Sequence, residues 1–184
     1  MPTASPSPQA PSAAPTTATS GVDPNAPEVN EAGDIPDNQA FVPYSPASKL
    51  FTVKVPEGWS RVNAGTGVVF DGKLNTVRVE LTSSASAPDV AAMRAQVAAI
   101  GAQSTGFRAG SVQQTSRPAG AVILAKYRAD APPDAVTGKV VNDDVERYAY
   151  WHAGHLLTLT LSGPHGADNV DPWRIVSNSV RWQQ

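Results

Sequence analysis

The chain divides at Ala40, and that division limits how much of it can fold. Before this point there is no aromatic residue, no Lys and no Arg, while Pro, Ala, Ser and Thr dominate. After it, apolar and β-branched residues alternate, and all four Trp occur. A composition like that of residues 1–40 cannot bury enough apolar surface to offset the entropy of ordering the chain. The sequence therefore predicts a disordered Pro/Ser/Thr/Ala-rich leader over residues 1–40 and one folded domain over residues 41–184. Pro2, Pro6, Pro8, Pro11 and Pro15 keep the leader extended and semi-rigid, as suits a spacer that lifts a domain off an anchor.

Charge is distributed as unevenly as composition. Asp23, Glu28, Glu31, Asp34 and Asp37 leave the leader acidic, so the domain holds eleven acids against all fourteen Lys and Arg, a net +3. So small a charge is no footprint for nucleic acid, which needs a concentrated basic stripe. The absence of cysteine excludes disulfides, thiol catalysis and Cys-ligated zinc. No apolar run approaches the ~20 residues of a spanning helix, and residues 1–20 lack the basic start and apolar stretch of a signal peptide.

Within the domain, Phe41, Val42 and Tyr44 open the ordered part, and Phe51, Val53 and Val55 mark one face of a half-buried strand. Pro56-Glu57-Gly58 reads as a turn, after which Trp59 is expected to be a buried anchor. Short strands follow at 59–62 and 68–70, and Asp71-Gly72 signals a hairpin into a strand over 74–82. Ser86 and Asp89 start a helix whose stripe is Val90, Met93, Val97 and Ile100, with Gly101 as its stop. Strands resume at 107–116, a polar edge, and at 121–128, apolar on both faces. Residues 145–151 and 156–161 form a hairpin about Ala153-Gly154. Asp171 caps a last helix with Pro172 at its first position, and the chain returns as Arg181-Trp182. Strands, a helix, more strands and a helix give an α+β class: an antiparallel sheet with helices packed on it.

The stretch Phe51-Thr52-Val53-Lys54-Val55-Pro56-Glu57-Gly58-Trp59 resembles the opening strand and Pro-x-Gly-Trp turn of PsbP-like domains. Leu157-Thr158-Leu159-Thr160, then Gly163-Pro164 and a helix with Trp173 and Ile175, resembles the close of the same fold. The Ser/Thr/Pro-rich leader is similar to that of the LpqN-type lipoproteins of actinobacteria. The resemblance implies a PsbP-like α/β/α sandwich over residues 41–184. It also implies a non-enzymatic binding or scaffold role in the bacterial cell envelope, extracytoplasmic and either secreted or membrane-anchored. A lipoprotein needs a cysteine for its acyl chain. On this branch the sequence would begin just after that residue, and membrane contact would run only through the missing lipid anchor.

Candidate chemistry is sparse. His152 and His155 flank the turn at Ala153-Gly154, but two imidazoles fall short of the three or four ligands of a zinc site. Gly65-Thr66-Gly67 and Asp71-Gly72-Lys73 lack Walker spacing and open no helix, so they read as hairpin turns. No Gly-x-Ser-x-Gly nucleophile elbow is present. The expectation is therefore no enzyme, no metal, no cofactor and no catalytic residue. Tyr127, Arg128, Arg147, Tyr148, Tyr150 and Trp151 combine aromatic rings with guanidinium groups, the chemistry of binding hot spots, and are the candidate ligand- or partner-binding residues. Alternation puts Tyr148 and Tyr150 on one face of their strand and Arg147 and Trp151 on the other. The expected partner is an envelope protein, glycan or lipid, with no nucleic acid, and the expected state is a monomer. A small hydrophobic-ligand carrier is the alternative, and a hydrolase using His152 or His165 a more distant one.

Overall fold

Alternating apolar residues build most of the chain into one antiparallel sheet. The computed structural model describes residues 32–134 and 137–183. Its strands are β1 Phe41–Tyr44, β2 Phe51–Pro56, β3 Ser60–Ala64, β4 Gly67–Gly72, β5 Asn75–Ser83, β6 Arg108–Arg117, β7 Gly120–Asp130, β8 Asn142–His152, β9 His155–Pro164 and β10 Arg181–Trp182. The helices are α1 Val90–Gln103 and α2 Val170–Asn178. Seven strands form the main sheet in the order β3-β4-β5-β9-β8-β7-β6, and β1-β2-β10 form a small second sheet.

The main sheet has two different faces. On one, the row Leu124, Tyr148, Leu159, Val79 and Val68 runs straight across five strands. Phe51, Val53 and Val55 of β2, with Trp173 and Val176 of α2, close over it as one core. Leu157, Leu159 and Leu161 are wholly buried, each contributing ~1.5–3 kcal/mol. On the opposite face α1 lays Met93 and Val97 over Ile123, Ala125 and Tyr127. Asp89 caps α1 by accepting the Ala92 N–H at 2.7 Å. β7 is buried from both sides because it lies between these layers, and polar β6 forms the sheet edge, both as the sequence predicts.

Five expectations need correction. The ordered chain begins before Phe41: Ile35 is 4 % exposed. Its N–H donates to Asn169 Oδ1 at 2.8 Å, and Gly33 O accepts from Asn75 Nδ2 at 2.6 Å. The boundary therefore falls near Gly33 rather than Ala40, and the expectation for residues 1–31 lies outside the described residues. Trp59 is half-buried rather than fully enclosed, because it lies flat against Gly72, where an added Cβ would come within 2.7 Å of the ring. That contact is what Gly72 is for. The hairpin turn itself is Lys73-Leu74, both at positive φ, between the paired residues Gly72 and Asn75. Likewise α1 runs past Gly101 to Gln103, and Gly101 makes room for the Phe107 ring, 2.6 Å from its would-be Cβ. Finally, Asn169 rather than Asp171 precedes α2, and its side chain makes no cap because it is committed to Ile35, Gly33 and Asn75.

Candidate functional site

The α2 face changes character along β7 and β8. At one end of these strands Val122, Leu124, Tyr148 and Tyr150 belong to the core. At the other end the same face carries Lys126 and Arg128 on β7, directly opposite Glu146 and Asp144 on β8. Arg108 of β6 lies opposite Arg128 on its other side. These charged side chains floor a groove of about 370 Å³, walled by Pro164, Asn169, Val170 and Trp173 at the start of α2. The groove is open to solvent at the margin of a filled core.

Its floor is wired together. Lys126 Nζ pairs with Glu146, and Tyr148 donates its hydroxyl to the second oxygen of the same carboxylate. The guanidinium of Arg117 lies over the Tyr148 ring, 5.3 Å from its centroid. Burial and the adjoining Glu146 carboxylate both push the Tyr148 phenol up, so it remains a donor. Tyr150 is still more buried; it donates to Ser177 O at 2.7 Å, and its phenol is pushed far up by desolvation. Beside this chain, His165 accepts from Arg128 Nη1 at Nε2, 2.8 Å away, and donates from Nδ1 to Asp144 Oδ2, also at 2.8 Å. The tautomer follows from the partner: a guanidinium can only donate, so Nε2 must be the acceptor and Nδ1 carries the proton. The Asp144–His165 pair looks like the base half of a hydrolytic triad, but the nitrogen that would take a proton is already occupied by Arg128.

The structure separates the six candidates of the sequence. Arg128, Tyr148 and Tyr150 are on the α2 face; Arg128 lines the groove, and Tyr148 reaches it through Glu146. Tyr127, Arg147 and Trp151 are on the α1 face. The Tyr127 ring packs on Phe107 at 5.8 Å, and its phenol is raised by burial, against the opposing pull of Arg147. Arg147 donates to Thr160 Oγ1 at 2.9 Å, and Trp151 Nε1 donates to Ser84 O at 3.0 Å. His152 pairs across the turn with His155 and stacks on Trp182 at 5.4 Å. Among the described residues no three His, Asp or Glu side chains gather as a metal site would require.

Sequence reasoning did not place Arg108, Lys126, Asp144, Glu146 or Trp173 in a binding site, and named His165 only for a hydrolase. A signal for three of them, Lys126, Asp144 and Glu146, is present. Lys126 and Arg128 continue the alternation of Val122 and Leu124, and Asp144 and Glu146 that of Tyr148 and Tyr150. A strand face that turns from apolar to charged at the same end of two neighbours marks where a core stops and a site can begin.

No family model and no curated protein sequence matches the chain. Solved structures do. The solution structure of the cyanobacterial PsbP protein CyanoP from Synechocystis superposes with a TM-score of 0.56 at 15% identity, covering 79% of this chain and 94% of that one. The Ran-binding protein Mog1p of Saccharomyces cerevisiae gives 0.53 at 11% identity, covering 78% and 96%. A protein from Bacteroides thetaiotaomicron gives 0.52 at 12% identity, covering 77% of this chain and 48% of its own. At these identities the likeness concerns architecture: the antiparallel sheet with its two helices is a PsbP-like fold.

Proposed function

We propose that this chain is a non-enzymatic binding or scaffold domain of the bacterial cell envelope, exported and tethered through its leader in the manner of LpqN-type lipoproteins. The observation that carries the binding role is the groove at the start of α2. Apart from Arg108, the charges of its floor are paired with one another: Lys126 with Glu146, and Arg128 with Asp144 and His165. What it offers a visitor is a shaped surface of arginine, tryptophan and exposed aliphatic side chain, with Val170 72 % exposed at its lip. Such a mixture is typical of hot spots in interfaces. The Ran-binding protein Mog1p supplies a precedent for partner binding on this architecture. The hydrophobic-carrier alternative has less support, because the layer between sheet and α2 is filled by Leu157, Leu159 and Leu161. Tethering is supported by the Pro-rich, base-free leader, whose chain enters the fold at Gly33 against Pro164, beside the groove.

A photo-crosslinking amino acid at position 170 tests the reading. Incubated with envelope and cytosolic fractions of an actinobacterium, the protein is expected to give discrete adducts from the envelope fraction that disappear in Arg128→Glu. Equal labelling of both fractions, or adducts indifferent to Arg128→Glu, would refute it.

A further inference from the structure

Arg108 and Arg128 stand directly opposite each other on β6 and β7, on the same face of the sheet. Like charges in that relation repel, and proteins ordinarily place an acid between them. Arg128 has one, in Asp144, together with the imidazole of His165. Arg108 is exposed and makes no ion pair among the described residues. Two further features converge on the same spot. The register of β6 breaks between Ala109 and Val112, one residue beyond Arg108; a bulge of this kind bends the strand and increases its local twist. Gly110 permits the break: a Cβ there would come within 2.3 Å of Lys126 O. Across the groove, α2 begins without a side-chain cap because Asn169 is held elsewhere. No side-chain cap therefore covers the first-turn N–H groups, and Asp171, the acid of that turn, pairs with Arg174.

We propose that this groove binds an oxyanion, carboxylate or phosphate, between Arg108, Arg128 and the first turn of α2, carried on an apolar body that packs against Trp173 and Val170. This inference rests on the groove being the binding site and names what it recognises. Arg108 offers a whole guanidinium fork and Arg128 the Nη2 that its contacts with His165 and Asp144 leave over, a donor set that suits a planar carboxylate or a phosphate. The apolar wall gives the ligand's body a place, and the volume is that of a small-molecule site. The carboxylates near the site have cationic or imidazole partners: Glu146 pairs with Lys126, Asp144 with His165 and Arg128, and Asp171 with Arg174.

The test is titration of the full chain with sodium benzoate, sodium acetate and inorganic phosphate at fixed ionic strength. It is followed through the amide resonances of Val170 and Asp171 and the Nε–H resonances of arginine. Saturable shifts at these groups are expected, with benzoate binding several-fold more tightly than acetate. Arg108→Gln should weaken binding about tenfold or more, since a charged hydrogen bond is lost, while the melting temperature is unchanged because Arg108 holds nothing in the fold. Phosphate tighter than benzoate assigns a phosphate ester as the natural group, and the reverse assigns a carboxylic acid. Shifts that never saturate, or that persist undiminished in Arg108→Gln, overturn the proposal. Envelope crosslinking at position 170 can succeed or fail independently, so the two ideas separate.

Discussion

Asn169→Ala tests how the amino-terminal segment is fastened to the domain. Asn169 is 3 % exposed, and Asn75 across from it 2 %. The Asn169 amide oxygen accepts the Ile35 N–H at 2.8 Å. Its amide nitrogen donates to Asn75 Oδ1 at 2.8 Å and to Gly33 O at 3.1 Å. Truncation to Ala removes all three bonds. Gly33 O keeps its bond from Asn75, but the Ile35 N–H and Asn75 Oδ1 are left buried without partners. Each such group costs about 1–3 kcal/mol. A water entering the vacated space from the nearby groove would recover part of this, so the net loss is about 3 kcal/mol. For a domain of this size that lowers the melting temperature by roughly 6–12 °C. Calorimetry measures the shift, and hydrogen exchange at the Ile35 amide reports whether the segment has come loose. Asn75→Ala combined with Asn169→Ala should cost less than the sum of the two, because they dismantle one network. A melting temperature within about 2 °C of the parent, with Ile35 still protected, would refute this account of the fastening.

Three further outcomes follow from particular residues. Asp143 is 6 % exposed with Oδ1 unpartnered, and burial raises its carboxyl to about 6 despite a bond from Ser162. The folded state therefore holds this proton more tightly than the unfolded state, and stability falls as pH rises from about 4 through 6. Asp143→Asn should flatten that slope and stabilise the protein at pH 7 by on the order of 2–3 kcal/mol, and urea titrations that show equal slopes would contradict it. At the β4–β5 turn Lys73 and Leu74 occupy positive φ, the conformation that Asn-Gly adopts without strain. Lys73→Asn with Leu74→Gly should raise the urea midpoint by the equivalent of about 1 kcal/mol, whereas a lower midpoint would show that the present pair is not strained. Trp59→Ala should cost about 2 kcal/mol, less than the ~3–5 kcal/mol of a fully enclosed ring, and a loss at the upper end would show that the ring is more enclosed than its half-exposed position implies.

Local signals were legible where a residue's role is settled by its neighbours in sequence. Phe51, Val53 and Val55 alternate because one side of β2 meets the core, and Met93 and Val97 recur at helical spacing because α1 has one buried stripe. Glycine misled the reading where its role is settled at a distance. Gly72 and Gly101 each precede or interrupt an element as a turn or stop residue would, yet each is glycine so that an aromatic ring can lie on the backbone. The start of the domain was misjudged for the same reason. Ile35 is the single large aliphatic between Val29 and Phe41, and one such residue makes no periodicity. It is buried by a partner 134 positions away, a distance no local pattern spans. Asp171, a good cap by position, falls inside the first turn because α2 begins at Val170, and Asn169 before it is turned inward as the clasp.

The same clasp joins the amino-terminal segment to the wall of the groove. Asn169 is held by Gly33 and Ile35, so the segment through which the leader enters the fold also fixes the backbone at the start of α2. That backbone is one wall of the groove, and Val170 is its lip. An asparagine that simply capped its own helix would have occupied a first-turn N–H; one turned inward to grip β5 and the amino-terminal segment leaves that N–H without a side-chain cap, at the groove that Arg108 and Arg128 line. The anchoring of the leader and the polarity of the groove are therefore consequences of one side chain. A variant that restored the cap elsewhere, Asp168→Ser for instance, could not reproduce either, because position 168 is exposed and its N–H is already held by Asp34 Oδ1 at 2.9 Å. On this geometry, loosening the leader should loosen the groove wall as well, so Asn169→Ala is expected to broaden the Val170 and Asp171 resonances along with that of Ile35. Broadening confined to residues 33–35 would show that wall and clasp are mechanically separate.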